Sequence, residues 1–247
     1  MENRKITIGH LLPDLLNLYG DDGNILCLSK RAQWRQIGVE QRDYCLHDPV
    51  DFENLDILFI GGGPDREQSI AMDYIHSLRS PISDYIERGG VLLAICGGYQ
   101  FLGRSYMAAD GSKVDGLGLL DLETVNGHGR LIGNLIIKTS LCEMPVVGFE
   151  NHGGRTSLGP NVNPLGKVLY GKGNNGHDGG EGVLYKNVIG TYLHGPLLSK
   201  NPQLCDHLLS TALQNRWGDG ALVPLDDTIE NNANAYIQQR FLHALKK

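Results

Sequence analysis

The run Gly89-Gly90-Val91-Leu92-Leu93-Ala94-Ile95-Cys96-Gly97-Gly98-Tyr99-Gln100-Phe101-Leu102-Gly103 constrains this chain more than any other. Val91 to Ile95 are consecutive apolar residues behind a Gly-Gly break, which suits a strand buried on both faces. Cys96 ends the run, two glycines follow, and Phe101-Leu102 begin an expected helix. That is the layout of a nucleophile elbow, a sharp strand-to-helix turn that presents one side chain at the carboxyl end of a parallel sheet. Small residues flank such a nucleophile because the turn is tight and its backbone comes close to the ligand. The N-terminus of the following helix favours an anion there. Taken alone, Cys96 reads equally well as a buried structural thiol.

The strand-then-glycine pattern recurs through the first hundred residues. Residues 5–9 read as a first strand, and residues 25–37 as a helix with Ile25, Leu28 and Ala32 on one stripe and Gly38 as its stop. Residues 39–46 have a strand-like beginning. Residues 56–60 form a buried strand that runs into Gly61-Gly62-Gly63-Pro64-Asp65. Helical stretches follow over 67–78 and 81–88, with Pro81 in the first turn of the second and Gly89 closing it. This alternation predicts an α/β fold, a mostly parallel doubly wound sheet flanked by helices.

After Gly103 the character changes. Short β-prone runs at 131–137, 146–149, 167–170 and 182–185 are expected to form antiparallel extensions that widen the sheet and wall the site. The Gly/Asn-rich loop from Gly171 to Gly180 reads as mobile. Residues 188–193 make another buried strand, ending at His194-Gly195-Pro196. In the first of two closing helices, Cys205, Leu208, Leu209 and Ala212 share a face. The second, starting at Asp226-Asp227, is expected to turn Ile229, Ala233, Tyr236, Ile237 and Phe241 inward. With no repeat, low-complexity tract or linker, one domain over residues 1–247 is the expectation.

Composition narrows the function. A net charge of −6 without a Lys/Arg cluster argues against a nucleic-acid partner. No apolar run reaches membrane-spanning length, and Met1 to Lys5 lead into apolar alternation without a signal-peptide core. Five cysteines, odd in number and without a CxxC pair, suit a reducing compartment and neither a disulfide framework nor a zinc site. The expectation is a cytoplasmic protein without membrane insertion.

Three buried strands end in chemically notable residues: Gly61-Gly62-Gly63, Cys96 and His194. Ligands of open α/β sheets bind outside those carboxyl ends. A thiol needs a base to attack at neutral pH, and a His at a neighbouring strand end supplies one. The triple-Gly turn reads either as a plain connection or, with the N–H of Gly97, as donors for an oxyanion. It could also cradle phosphate, but no Lys-Ser/Thr follows and no GxGxxG occurs. Arg130, in Gly127-His128-Gly129-Arg130, suits a bidentate grip on a carboxylate or a solvated surface position. His152 is the rival base or a wall residue.

Together, Gly-Gly-Gly-Pro, the Ala-Ile-Cys-Gly-Gly-Tyr-Gln strand end and the later strand ending in His resemble the class I glutamine amidotransferases. Cys-Gly-Gly-Tyr-Gln, Gly-Phe-Glu-Asn-His-Gly-Gly and Tyr-Leu-His-Gly-Pro resemble their cobyric acid synthase branch. Leu-Leu-Asn-Leu-Tyr-Gly-Asp-Asp-Gly-Asn and Gly-Gly-Gly-Pro-Asp-Arg-Glu-Gln narrow the likeness to the glutaminase subunits of lipid II isoglutaminyl synthases. The resemblance implies that Cys96 attacks the side-chain amide of L-glutamine, that His194 shuttles the proton, and that Gly63 and Gly97 line the oxyanion hole. Gln100 and Arg130 would hold the glutamine. It implies no cofactor on this chain; ATP and Mg would belong to a MurT-like Mur ligase partner in a heterodimer. Other acceptors in the branch are cobalamin-type carboxylates, and a chain of this fold can also be an inactive binding subunit. One departure stands out: most class I members carry His-x-Glu, with the Glu orienting the imidazole, whereas Pro196 occupies that position here. Either a Cys–His dyad operates or the acid comes from elsewhere, for instance from the partner subunit.

Overall fold

The computed structural model describes residues 4–107 and 111–242; Met1 to Asn3, on which part of the N-terminal reading rests, lie outside them. The first half alternates as expected: β1 (Lys5–Leu11), α1 (Asp22–Gln33), β2 (Gly38–Tyr44), β3 (Ile57–Ile60), α2 (Asp65–Ser77), α3 (Arg79–Glu87), β4 (Val91–Ile95) and α4 (Gly97–Phe101). A hairpin, β5 (Ser105–Met107) and β6 (Lys113–Asp115), precedes two long strands, β7 (Leu122–Lys138) and β8 (Val146–Leu158). Then come β9 (Gly166–Tyr170), β10 (Gly180–Glu181), β11 (Val183–Tyr185), β12 (Val188–Thr191), α5 (Pro202–Trp217) and α6 (Thr228–Leu242).

The central sheet has the order β11-β12-β4-β3-β1-β2, parallel except for β11. Every residue of β3, β4 and β12 is buried, as parallel strands covered on both faces require. The half-exposed, polar β2 lies at the edge. Register aligns Ile60 with Ala94 and Thr191 with Ile95, so the chain leaves β3, β4 and β12 on one rim. On the α1 side, the buried Arg31 guanidinium donates to Asp206 at 2.7 Å and Asp227 at 2.6 Å, tying α1 to α5 and to the approach to α6.

Five expectations change in detail. The helix after the elbow starts at Gly97 and ends at Phe101, because the glycines themselves take up the turn against β3. The helix expected over 25–37 ends at Gln33, before Gly38, which opens β2. Of the later β runs, only the one before Tyr185 joins the central sheet, as antiparallel β11. The others build a second, antiparallel sheet of order β10-β9-β7-β8, whose long hairpin arm walls the site. The residues of both sheets nonetheless share one apolar cluster, with Leu135, Ile137 and Val146 beside Leu93 and Ile95.

The 171–180 loop is bonded along its length. The Glu150 carboxylate accepts the N–H groups of Lys172 and Gly173 at 2.8 and 2.9 Å, and buried Asn174 exchanges two 2.9 Å bonds with Gly182. Short polar side chains thus do locally what a ladder does elsewhere. The inward face of α6 is also not the expected one. Ile229 and Tyr236 are 81% and 61% exposed, Ala233, Ile237 and Phe241 are half-buried, and the buried residue is Asn234. Its Nδ2 donates to the carbonyls of Pro145 and Lys200 and to Asn201 Oδ1, so the helix docks on a polar hub over carbonyl groups.

Close approach of β3 and β4 at the rim requires glycine at position 98. A Cβ there would stand 2.6 Å from the Ile60 carbonyl oxygen, which belongs to the backbone and has nowhere to go. Gly98→Ala is expected to cost about 1–3 kcal/mol of stability through overpacking, read as a lowered urea midpoint with an unchanged slope.

Candidate active site

Cys96 sits at the head of β4 with φ 51° and ψ −103°, a left-handed backbone position unusual for a residue with a Cβ. Its conformation is held from three sides. Its N–H donates to the Thr191 carbonyl at 2.9 Å, its carbonyl accepts the Gln100 N–H at 3.0 Å, and Gly98 N–H reaches the Gly61 carbonyl at 3.1 Å. The elbow is therefore clamped between β12 and the triple-Gly turn after β3. The thiol lies on the floor of a cleft of about 290 Å³.

His194 reaches the same place from the neighbouring strand. Its backbone exchanges two hydrogen bonds with Phe149 of β8, at 2.8 and 3.2 Å, which ties the end of the β12 segment to the second sheet. Gly62 packs against both Cys96 and the imidazole. A Cβ on Gly62 would lie 3.1 Å from Cys96 Cβ and 3.4 Å from His194 Cε1. A side chain at position 62 would therefore crowd Cys96 next to the imidazole.

Behind the imidazole stands Asp21, from the loop that leads into α1. Its Oδ1 lies 3.8 Å from His194 Nδ1, and its Oδ2 accepts the Gly62 N–H at 2.8 Å. Both residues are shut off from solvent, and the Tyr19 ring covers the imidazole edge-on at 4.9 Å between centroids. Burial by itself would depress the His194 pKa, but interaction with Asp21 and Cys96 outweighs it and holds the imidazole up at about 9.

The cleft walls come from both sheets. Arg130 projects from the β7–β8 arm, beside the irregularity between Asn126 and Leu131, and its guanidinium donates to the Asn151 side chain and carbonyl, each at 2.7 Å. Asn151 in turn donates to the Tyr19 hydroxyl at 2.6 Å. Gln100 is buried below, its Nε2 bonded to the Tyr192 hydroxyl at 3.0 Å, and that hydroxyl continues to Thr156 and Thr124 at 2.7 Å a step. His152 is a wall residue: it stacks on Tyr192 at 3.6 Å and its Nδ1 donates to the Gly154 carbonyl.

Cys96, Gln100, Arg130 and Gly63 all line the cleft, with His194 and Gly97 packed against it from below. Gln68, Tyr19, Asn151 and Asp21 were not singled out from the sequence. The Gln68 amide donates to the Gly63 carbonyl at 2.6 Å and covers Gly97, so it shapes the turn that faces the nucleophile. Its only sequence signal was its place shortly after the triple glycine. Asp21 gave none beyond its membership of a loop motif.

A buried carboxylate braces the base strand. Glu181 Oε1 accepts from Thr191 Oγ1 at 2.6 Å and from the Tyr192 N–H at 2.8 Å. Burial pushes its pKa up to about 7 against the opposing pull of those two donors.

A cysteine elbow, an imidazole beside it and an arginine on the cleft wall, on a parallel sheet, are the arrangement of a glutamine amidotransferase. The CobB/CobQ-like glutamine amidotransferase domain matches residues 7–202, and the chain belongs to that family. Among its relatives are the proteins named lipid II isoglutaminyl synthase (glutamine-hydrolyzing) subunit GatD. That of Staphylococcus aureus is 45% identical over 86% of this chain and 86% of its own length. That of Streptococcus pneumoniae is 44% identical over 91% and 87%. A probable cobyric acid synthase of Methanococcus maripaludis is 36% identical over 70% of this chain but only 37% of its own length. Among solved structures, PurLQS from Thermotoga maritima matches with a TM-score of 0.56 at 18% identity, over 85% of this chain and 97% of that one. At that identity the likeness concerns the fold alone.

Two outcomes follow from the geometry. Gly62→Ala puts a Cβ 3.1 Å from Cys96 Cβ, which must give by a few tenths of an ångström, and kcat for glutamate release should drop roughly tenfold to a hundredfold with little change in melting temperature. For Glu181 the unfolded carboxyl loses its proton near 4.5 and the folded one near 7, so the native state holds more protons between those values. Stability from this group therefore falls as the pH rises through that window. Denaturant midpoints measured across it should decline less in Glu181→Gln than in the native chain.

Proposed function

We propose that this chain is the glutaminase subunit of a lipid II isoglutaminyl synthase. The observation that carries the reading is the Cys96 elbow beside His194, with Gly62 packed against both. Near full-length identity of 44–45% to subunits bearing that name supports the choice of acceptor.

His194 takes the proton from the Cys96 thiol, and the sulfur attacks the side-chain carbonyl carbon of L-glutamine. The negative charge that develops on oxygen meets the N–H groups of Gly63 and Gly97. As the tetrahedral intermediate collapses, the C–N bond breaks, the imidazolium proton goes to nitrogen, and ammonia leaves a thioester on Cys96. His194 then takes a proton from water, whose oxygen attacks the thioester, and glutamate departs with the proton returned to sulfur. Arg130, steadied by Asn151, takes the α-carboxylate of glutamine, and Gln100 holds its polar end from below. No helix among the described residues is long and apolar enough to cross a membrane.

Ammonia passes to a MurT-like Mur ligase subunit, the heterodimeric partner, which binds ATP and Mg and activates the α-carboxyl of D-glutamate in the lipid II stem peptide. This puts the pair in the cytoplasm, where ATP is. The test is glutamate release from L-glutamine, and D-isoglutamine formation in lipid II, by the chain co-expressed with that partner. Cys96→Ala should abolish both, and Arg130→Ala should raise KM for glutamine by about tenfold or more. Glutamate release that survives Cys96→Ala, or a complex that amidates a corrinoid carboxylate and leaves lipid II untouched, would overturn the proposal.

A further inference from the structure

We infer that Asp21 is the acid that positions His194, delivered by this chain's own N-terminal loop to the role that Pro196 cannot fill. The inference rests on the glutaminase reading of the site but is tested separately from it.

The carboxylate has no other purpose in the structure that its burial would repay. It is fully excluded from solvent, and its Oδ1 has no hydrogen-bond partner, while Oδ2 has the Gly62 N–H. A buried carboxylate with one neutral donor is costly unless a cation faces it. Two imidazoles are near enough to feel its charge, His194 and His10. His10 is held by other carboxylates, with Nδ1 3.5 Å from Asp22 and 3.9 Å from Asp43, and burial lowers its pKa. His194 faces Asp21 Oδ1 directly, at 3.8 Å from Nδ1. The groups around His194 are Asp21 from the loop, Cys96 from the elbow and the Tyr19 ring.

The loop is locked where this role needs it. Leu18 N–H donates to the Gly62 carbonyl at 3.1 Å, so the loop and the triple-Gly turn are joined twice, once through backbone and once through Asp21. On the other side, Asn24 Oδ1 accepts the Leu198 N–H at 3.0 Å, and a Cβ on Gly23 would run into Pro196. Pro196, which leaves the usual acid position empty of a carboxylate, is thus the residue on which the Asp21 loop rests.

A carboxylate at Nδ1 keeps the neutral imidazole protonated there, which leaves Nε2 free to accept the thiol proton, and it stabilises the imidazolium that forms. Asp21→Asn separates this role from simple anchoring. Its carbonyl can still accept the Gly62 N–H, but its amide N–H groups face Nδ1 and impose the other tautomer. With the partner-bound complex, Asp21→Asn should lower kcat about a thousandfold or more with KM for glutamine within about threefold of the native value. The acid limb of kcat/KM, set by deprotonation of the His194 base near 9, should move to lower pH. A kcat within about threefold of native, or a loss of kcat with the limb unmoved, would overturn the inference and leave Asp21 a loop anchor. A second measurement needs neither turnover nor a folded Asp21 variant. In histidine-labelled Cys96→Ala, titrated beyond the imidazolium, ¹⁵N NMR should find the remaining His194 proton on Nδ1; finding it on Nε2 sinks the inference. If His194 carries the Nδ1 proton while the native complex releases no glutamate, the glutaminase reading fails and the positioning role of Asp21 stands.

Discussion

Parallel strands hydrogen-bond level with their neighbours, and the site depends on that geometry. Because β3, β4 and β12 are paired in register and buried on both faces, their exits lie along one rim within reach of one another. The triple-Gly turn, the elbow cysteine and the histidine meet there although 134 positions separate Gly61 from Gly195 in the numbering. Close approach then dictates residue size. Glycine stands at 98 because the elbow touches the backbone of β3, and at 62 because a Cβ there would crowd Cys96 beside the imidazole.

The second sheet contributes shape. Its hairpin arm carries Arg130 and Asn151 over the cleft and holds the backbone of His194 through Phe149. The polar chain from Gln100 through Tyr192 to the two threonines satisfies hydroxyls that would otherwise be buried without partners under the substrate. The hydroxyls of the floor are therefore internally bonded, and the groups left to recognise a ligand are Gln100 and those of the walls and the rim.

What could be read from the sequence was what apolar runs and punctuation encode. The buried strands, the elbow at Cys96 and the strand end that carries His194 were legible because unbroken apolar stretches that end in glycine or a polar residue have few other uses. The direction of α6 was not, because its contact face is decided by Asn234 reaching backbone carbonyls, and hydrophobic periodicity does not register a polar hub. The Gly/Asn loop was misread for a related reason: composition marks a loop as irregular, but the hydrogen bonds from Glu150 and Asn174 that fix it come from its fold. Asp21 was hidden by distance. A motif search for the acid looks two residues past the histidine, whereas the chain brings one from its other end.

The placement of β12 also has a meaning for synthesis. Until residues 188–191 are made, one edge of β4 has no partner and the Cys96 N–H lacks the Thr191 carbonyl. Contacts that join the first strands to one so late in the chain pay their loop-closure entropy last. The rim on which Cys96 sits is therefore completed only when the last of the parallel strands has been made.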